Sequence, residues 1–247
     1  MSRRALLALA LPLPLLAAGC DRARAPEPTP TPTPTVAAPR NLVAANFDPA
    51  SLGAKIEGPK GPEVESEISA DGKTIADVVS YVACPKDMTE ACDPETAPEG
   101  TVFTYVHVVT PTQDEAAPTE SATPAADTES GAQRMETAPS IFRTTRRATG
   151  FNGALGYDRE QAKAALGAED AITVTTDAGQ LIWRVTKGSG WTPGMPITFF
   201  WQSTLPPKGP SSAYRLELNN RAGDATGPFP PEKAPEPKST GTATPAG

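Results

Sequence analysis

Thr101-Val102-Phe103-Thr104-Tyr105-Val106-His107-Val108-Val109-Thr110 is the stretch from which the fold is read. A strand turns alternate side chains to opposite faces, so Val102, Thr104, Val106 and Val108 share one side, and Phe103, Tyr105, His107 and Val109 the other. Both sides are largely apolar and β-branched or aromatic, the pattern of a central strand buried on two faces. Glu99-Gly100 supplies a turn before it, and Pro111 removes the next ladder donor and ends it.

The same texture extends outward. Glu63 to Ala70 alternates, with Val64 and Ile68 against Glu65 and Glu67; Asp71-Gly72 tolerates the positive φ of a hairpin turn, and Thr74 to Ala83 resumes with Ile75, Val78, Val79, Tyr81 and Val82. Further on, Asp158 stands three residues before Gln161 as in a capping box, Ala162, Ala164, Ala165 and Leu166 follow, and Gly167 closes one short helix at 158–167. Strands are then expected at Ile172–Thr176, Leu181–Thr186, Ile197–Thr204 and Ala213–Leu218, with turns at Asp177-Ala178-Gly179, Pro206-Pro207 and Asn219-Asn220. Many short strands and a single helix predict a mainly β, antiparallel sandwich. The Thr101–Thr110 strand looks like those of immunoglobulin- and fibronectin-type modules, a resemblance of texture that names no domain family.

Between and around these strands the composition changes. Residues 112–139 are small, acidic and proline-containing, with almost nothing to bury against the entropy of ordering, and are expected as a disordered insertion in one body spanning 41–227. Residues 228–247 are expected as a loose Pro-rich tail. Pro26 to Thr35 alternates proline with Thr and Glu, which predicts a stiff polyproline spacer of about 30 Å within a linker at 20–40. Cys84 and Cys92 enclose a short polar loop and are expected to pair as a disulfide. Metal ligation needs more donors than His107, the one histidine, and its neighbours offer, and no cofactor is called for.

The amino terminus supplies an address. Arg3-Arg4, an apolar run from Ala5 to Ala18 and small residues before Cys20 have the form of an export leader at 1–19, too short and too proline-interrupted for a membrane span. Leu16-Ala17-Ala18-Gly19-Cys20 resembles the lipobox of bacterial lipoproteins, with Leu at the fourth rather than the third position before Cys. The resemblance covers only the leader. It implies cleavage before Cys20, acylation of its thiol, and a body held to the membrane by lipid and facing the periplasm. In the sorting rule of some bacterial lipoproteins, Asp21 would favour the inner membrane. Loss of Arg3 and Arg4 lowers the basic residues from 22 to 20 against 29 acidic, a net charge of −9. That balance argues against a nucleic-acid partner.

No Gly-x-Ser-x-Gly elbow, phosphate loop or paired metal motif occurs, and His107 reads as a structural histidine inside a strand. Trp183, Trp191 and Trp201 fall within nineteen residues; the first and last read as core, while Trp191, in Gly190-Trp191-Thr192-Pro193-Gly194, is the ring expected at the surface. Arg143, Arg146 and Arg147 are a basic cluster, either contacting an acidic partner or balancing the insertion before them. The expected function is therefore a non-catalytic, lipid-anchored envelope accessory that contacts another protein. A cell-wall glycan-binding module using Trp191 is the alternative, and an envelope hydrolase the third.

Overall fold

The computed structural model describes residues 39–112 and 139–232. The leader, most of the linker, the insertion from 113 to 138 and the tail from 233 lie outside the described residues. In chain order the strands are β1 (Arg40–Leu42), β2 (Ala45–Asn46), β3 (Leu52–Lys55), β4 (Val64–Ala70), β5 (Lys73–Pro85), β6 (Phe103–Pro111) and β7 (Ile141–Thr144). After them come β8 (Phe151–Tyr157), helix α1 (Arg159–Leu166), β9 (Ile172–Asp177), β10 (Gln180–Val185), β11 (Ile197–Ser203), β12 (Gly209–Leu218) and β13 (Arg221–Phe229).

Two sheets pack face to face. One has the order β1-β9-β10-β7-β12-β13; the other runs β2-β8-β11-β6-β5-β3, with β4 also paired to β5. The chain is therefore mainly β and sandwich-like, as its alternation predicts. β6 lies between β5 and β11, and its inward side chains Tyr105, His107 and Val109 are all buried. Pairing between the strands is antiparallel except for β2 and β8, where Ala45 and Asn46 run parallel to Gly156 and Tyr157, and an isolated parallel bridge joins Ile56 to Cys92, departures from the all-antiparallel expectation.

The core is aromatic: Trp183, Trp201, Tyr105, Tyr157, Tyr214, Phe142, Phe199 and Phe229 are among its largest fully buried side chains. Four of the buried polar tips find backbone acceptors, whereas the Trp201 indole N–H has none among the described residues. The hydroxyls of Tyr105, Tyr157 and Tyr214 donate to the carbonyls of Leu205 (3.0 Å), Glu169 (2.9 Å) and Pro228 (2.9 Å), and the Trp183 indole N–H donates to Gly156 (2.9 Å). Helix α1 is bounded as its caps predict: the Asp158 carboxylate accepts from the Gln161 N–H at 2.9 Å, and Gly167 is left-handed. Its Ala162, Ala165 and Leu166 are buried against the sandwich.

Six strands, β1, β2, β3, β7, β8 and β13, were not expected from the alternation, and two of them share a reason. β8 and β13 carry glycines where another backbone crosses them. A Cβ on Gly156 would stand 1.9 Å from the Ala45 carbonyl oxygen, and one on Gly223 would stand 2.5 Å from that of Ser69. β13 also corrects the expected boundary of the tail, because Pro228 and Phe229 are buried strand residues. Cys84 and Cys92 form the expected disulfide, with Cα atoms 5.7 Å apart and both residues buried.

Candidate functional site

The arrangement nearest to a catalytic pair is in the core. Ser80 on β5 stands opposite His107 on β6, and its Oγ lies 2.9 Å from His107 Nδ1. Both residues are fully buried, the imidazole packs against Tyr214 (ring centroids 4.1 Å apart) and Phe142 (5.7 Å), and Nε2 has no hydrogen-bond partner. Burial alone lowers the His107 pKa from 6.5 to about 3, so the ring is neutral. The Tyr214 hydroxyl beside it is pushed up by burial, against the opposing effects of the Trp201 indole and the Arg146 guanidinium. Both side chains of this pair lie inside the core, out of contact with solvent.

Trp191 is a correction. Its ring is 7 % exposed rather than open to solvent. The indole N–H donates to the Met195 carbonyl at 2.8 Å, the ring stands edge-on to Phe199 at 6.0 Å, and the Thr192 N–H bonds the Ala165 carbonyl of α1 at 2.9 Å. The glycine-rich composition made the loop look exposed; its one large apolar side chain turns it inward as a plug for that end of the sandwich.

The three arginines expected as one cluster are separated. Arg143 faces outward from β7, beside Arg215 in the neighbouring strand, and its Nε donates to Glu217 at 3.1 Å. Arg215 reaches Asp224 at 2.7 Å, so each of two adjacent like charges has its own carboxylate. Along this outer face the register sets Thr175, Ile182, Arg143, Arg215 and Asp224 in one row and Thr173, Arg184, Ile141, Glu217 and Ala222 in the next. A depression of about 350 Å³ at its margin is lined by Ile141, Arg184, Glu217, Leu218 and Arg221.

Arg146 is structural. It donates to Glu232 at 3.1 Å and Ser211 at 2.5 Å, and lies over the Phe229 ring at 4.9 Å, clasping the end of β13. Its Nε is buried with no partner. Arg147, the next residue, lines a cleft of about 770 Å³ between β1 and the 147–153 segment that leads into β8, with Arg40, Asn41, Phe151, Asn152 and Glu232. Arg40 and Asn41 were not singled out from sequence, and Gly179 was read only as part of a turn; an arginine opening the first strand of an acidic chain was the available signal. Among the described residues, no group of His, Cys, Asp and Glu is arranged to hold a metal ion, and no helix is long and apolar enough to cross a membrane.

No family model matches the chain, and no curated protein or solved structure matches it.

Proposed function

We propose that the protein is a lipid-anchored accessory of a bacterial envelope that works by contact with another protein. The anchor follows from the likeness of Leu16 to Cys20 to a lipobox, which would place the body on the periplasmic side, with Asp21 favouring the inner membrane. The observation that carries the contact role is the outer face of the β1-to-β13 sheet. There Ile182 is half-buried and Ile141 8 % exposed among the paired Arg143–Glu217 and Arg215–Asp224, with Arg184 exposed and without a partner among the described residues. Apolar side chains within an arginine-bearing rim suit a protein partner. The Trp191 form of the glycan alternative is not carried forward, because that ring is buried.

Two measurements test the proposal. Mass spectrometry of the protein isolated from bacterial membranes should find an acylated Cys20 as the first residue; a soluble product without acyl mass would remove the anchor. A photo-crosslinking residue at Ile182 should give one discrete protein adduct in intact cells, and the same residue at the exposed Glu57 should give none. Equal adducts from both positions, or none from either, would remove the contact role.

A further inference from the structure

We infer that the cleft between β1 and the 147–153 segment, a turn running into β8, is a binding site for a sugar bearing an acidic group. It goes beyond the contact role proposed above and stands whether or not Cys20 carries lipid. The cleft opens on the flank between β1, the edge of its sheet, and the start of β8, which β2 covers only at Gly156 and Tyr157, and its volume of about 770 Å³ lies in the range of small-molecule sites.

Charge selects the ligand. Arg40 and Arg147 form no ion pair among the described residues, whereas Glu232, the one carboxylate in the lining, is engaged by Arg146. Two uncompensated guanidinium groups therefore share one concavity in a protein of net charge −7. The planar guanidinium fork matches a carboxylate or phosphate, and the acidic surface elsewhere makes this concavity stand out to an anion.

The site is also built. Arg147 passes over Gly179, where a Cβ would meet its Cγ at 2.6 Å, and Gly179 holds a left-handed φ of 82° in the β9–β10 turn. The Ala148 N–H is bonded to the Gly179 carbonyl (2.9 Å), the Thr149 hydroxyl donates to the Glu232 carbonyl (3.1 Å), and Ser203 Oγ donates to the Thr149 carbonyl (3.0 Å). A loop fixed by these bonds has little ordering left to do when a ligand arrives.

An anion alone would fill a small part of this volume. The remaining wall pairs neutral hydrogen-bonding groups with apolar surface. The Thr176 hydroxyl, paired across from Arg40 and so on the same face, has no hydrogen bond among the described residues, and Leu42 and Phe151 are half-buried. Hydroxyls beside an apolar ring face, plus one acidic substituent, is the chemistry of a uronate or a sugar phosphate.

Titration of the full chain in detergent with glucuronate, glucose 6-phosphate, glucose and inorganic phosphate, followed by amide chemical shifts, tests the inference. At least one of the two acidic sugars should bind and move the resonances of Asn41, Arg147 and Gly179, and the more effective of the two tells carboxylate from phosphate. Glucose should bind at least ~10-fold more weakly, a difference of about 1.4 kcal/mol. Arg40→Gln with Arg147→Gln should reduce acidic-sugar binding by at least ~10-fold with the thermal midpoint held. Inorganic phosphate binding as well as the acidic sugars would reduce the cleft to a plain anion site and overturn the inference. So would silence of both acidic sugars to ~10 mM, the weak end of specific affinity. If the double variant fails to fold, Thr176→Val in the wild-type background must weaken the sugar without altering phosphate; no effect there also overturns it.

Discussion

His107 is the residue whose chemistry the fold alters most. In the unfolded chain it takes a proton below about 6.5, whereas the folded core keeps it neutral to about 3, with Ser80, Phe142 and the neutral Tyr214 as its surroundings and no charged partner in contact. The unfolded state therefore binds more protons across that window, and stability falls as pH drops through it, by up to about 1.4 kcal/mol per pH unit. Urea unfolding at pH 7, 5.5 and 4 should show the loss, and His107→Gln should flatten it while leaving a partner for Ser80. A slope unchanged in that variant would assign the acid sensitivity to other groups. Trp191 makes the second prediction at this scale. As a plug it is worth about 3 kcal/mol, so Trp191→Ala should lower the urea midpoint strongly; a change within 0.5 kcal/mol, the usual range for surface substitutions, would mean the ring is not buried in solution.

Among the elements, those stated by alternation, β4, β5, β6 and β11, appear where the chain places them, and α1 is bounded by the very residues that cap it, Asp158 and Gly167. β8 and β13 were illegible for a shared reason. Their glycines are selected by the approach of Ala45 and Ser69, and such crossings arise between segments more than a hundred residues apart. The arginine run misled in the same way, since Arg143 inside a strand and Arg146 and Arg147 beyond its end point to three different neighbourhoods although they are adjacent in sequence. The disulfide was legible because its partners are eight residues apart and the compartment suggested by the leader is oxidising. It closes the turn after β5, and in the chain-entropy picture a loop of that size contributes about 2–3 kcal/mol. Cys84→Ser with Cys92→Ser should lower unfolding free energy by that amount, and reduction of the native protein should reproduce the shift; equal midpoints before and after reduction would show that the loop is ordered by packing alone.

At the scale of the whole body the two flanks differ. On one, β13 leans on β4, where the Thr226 N–H donates to Ser66 Oγ at 3.1 Å and Arg221 reaches the Ala70 carbonyl at 3.1 Å. On the other, β1 and β8 stand apart and leave the arginine cleft. The β8 edge is blunted against unwanted strand pairing by its own Asn152, whose side chain accepts from the Ala154 N–H at 2.9 Å. The short segment from Arg40 to Phe47 joins the two sheets, with β1 on β9, β2 on β8, the Phe47 N–H on Tyr157 at 3.0 Å and Arg159 on the Ala44 carbonyl at 3.0 Å. Tension arriving along the chain before Arg40 is therefore divided between both layers from the first residue that carries it. Drawn by its amino-terminal end in a single-molecule experiment, the body should rupture in one event with the layers still together; early peeling of β1 and β2 at low force would mean that this double fastening bears no load.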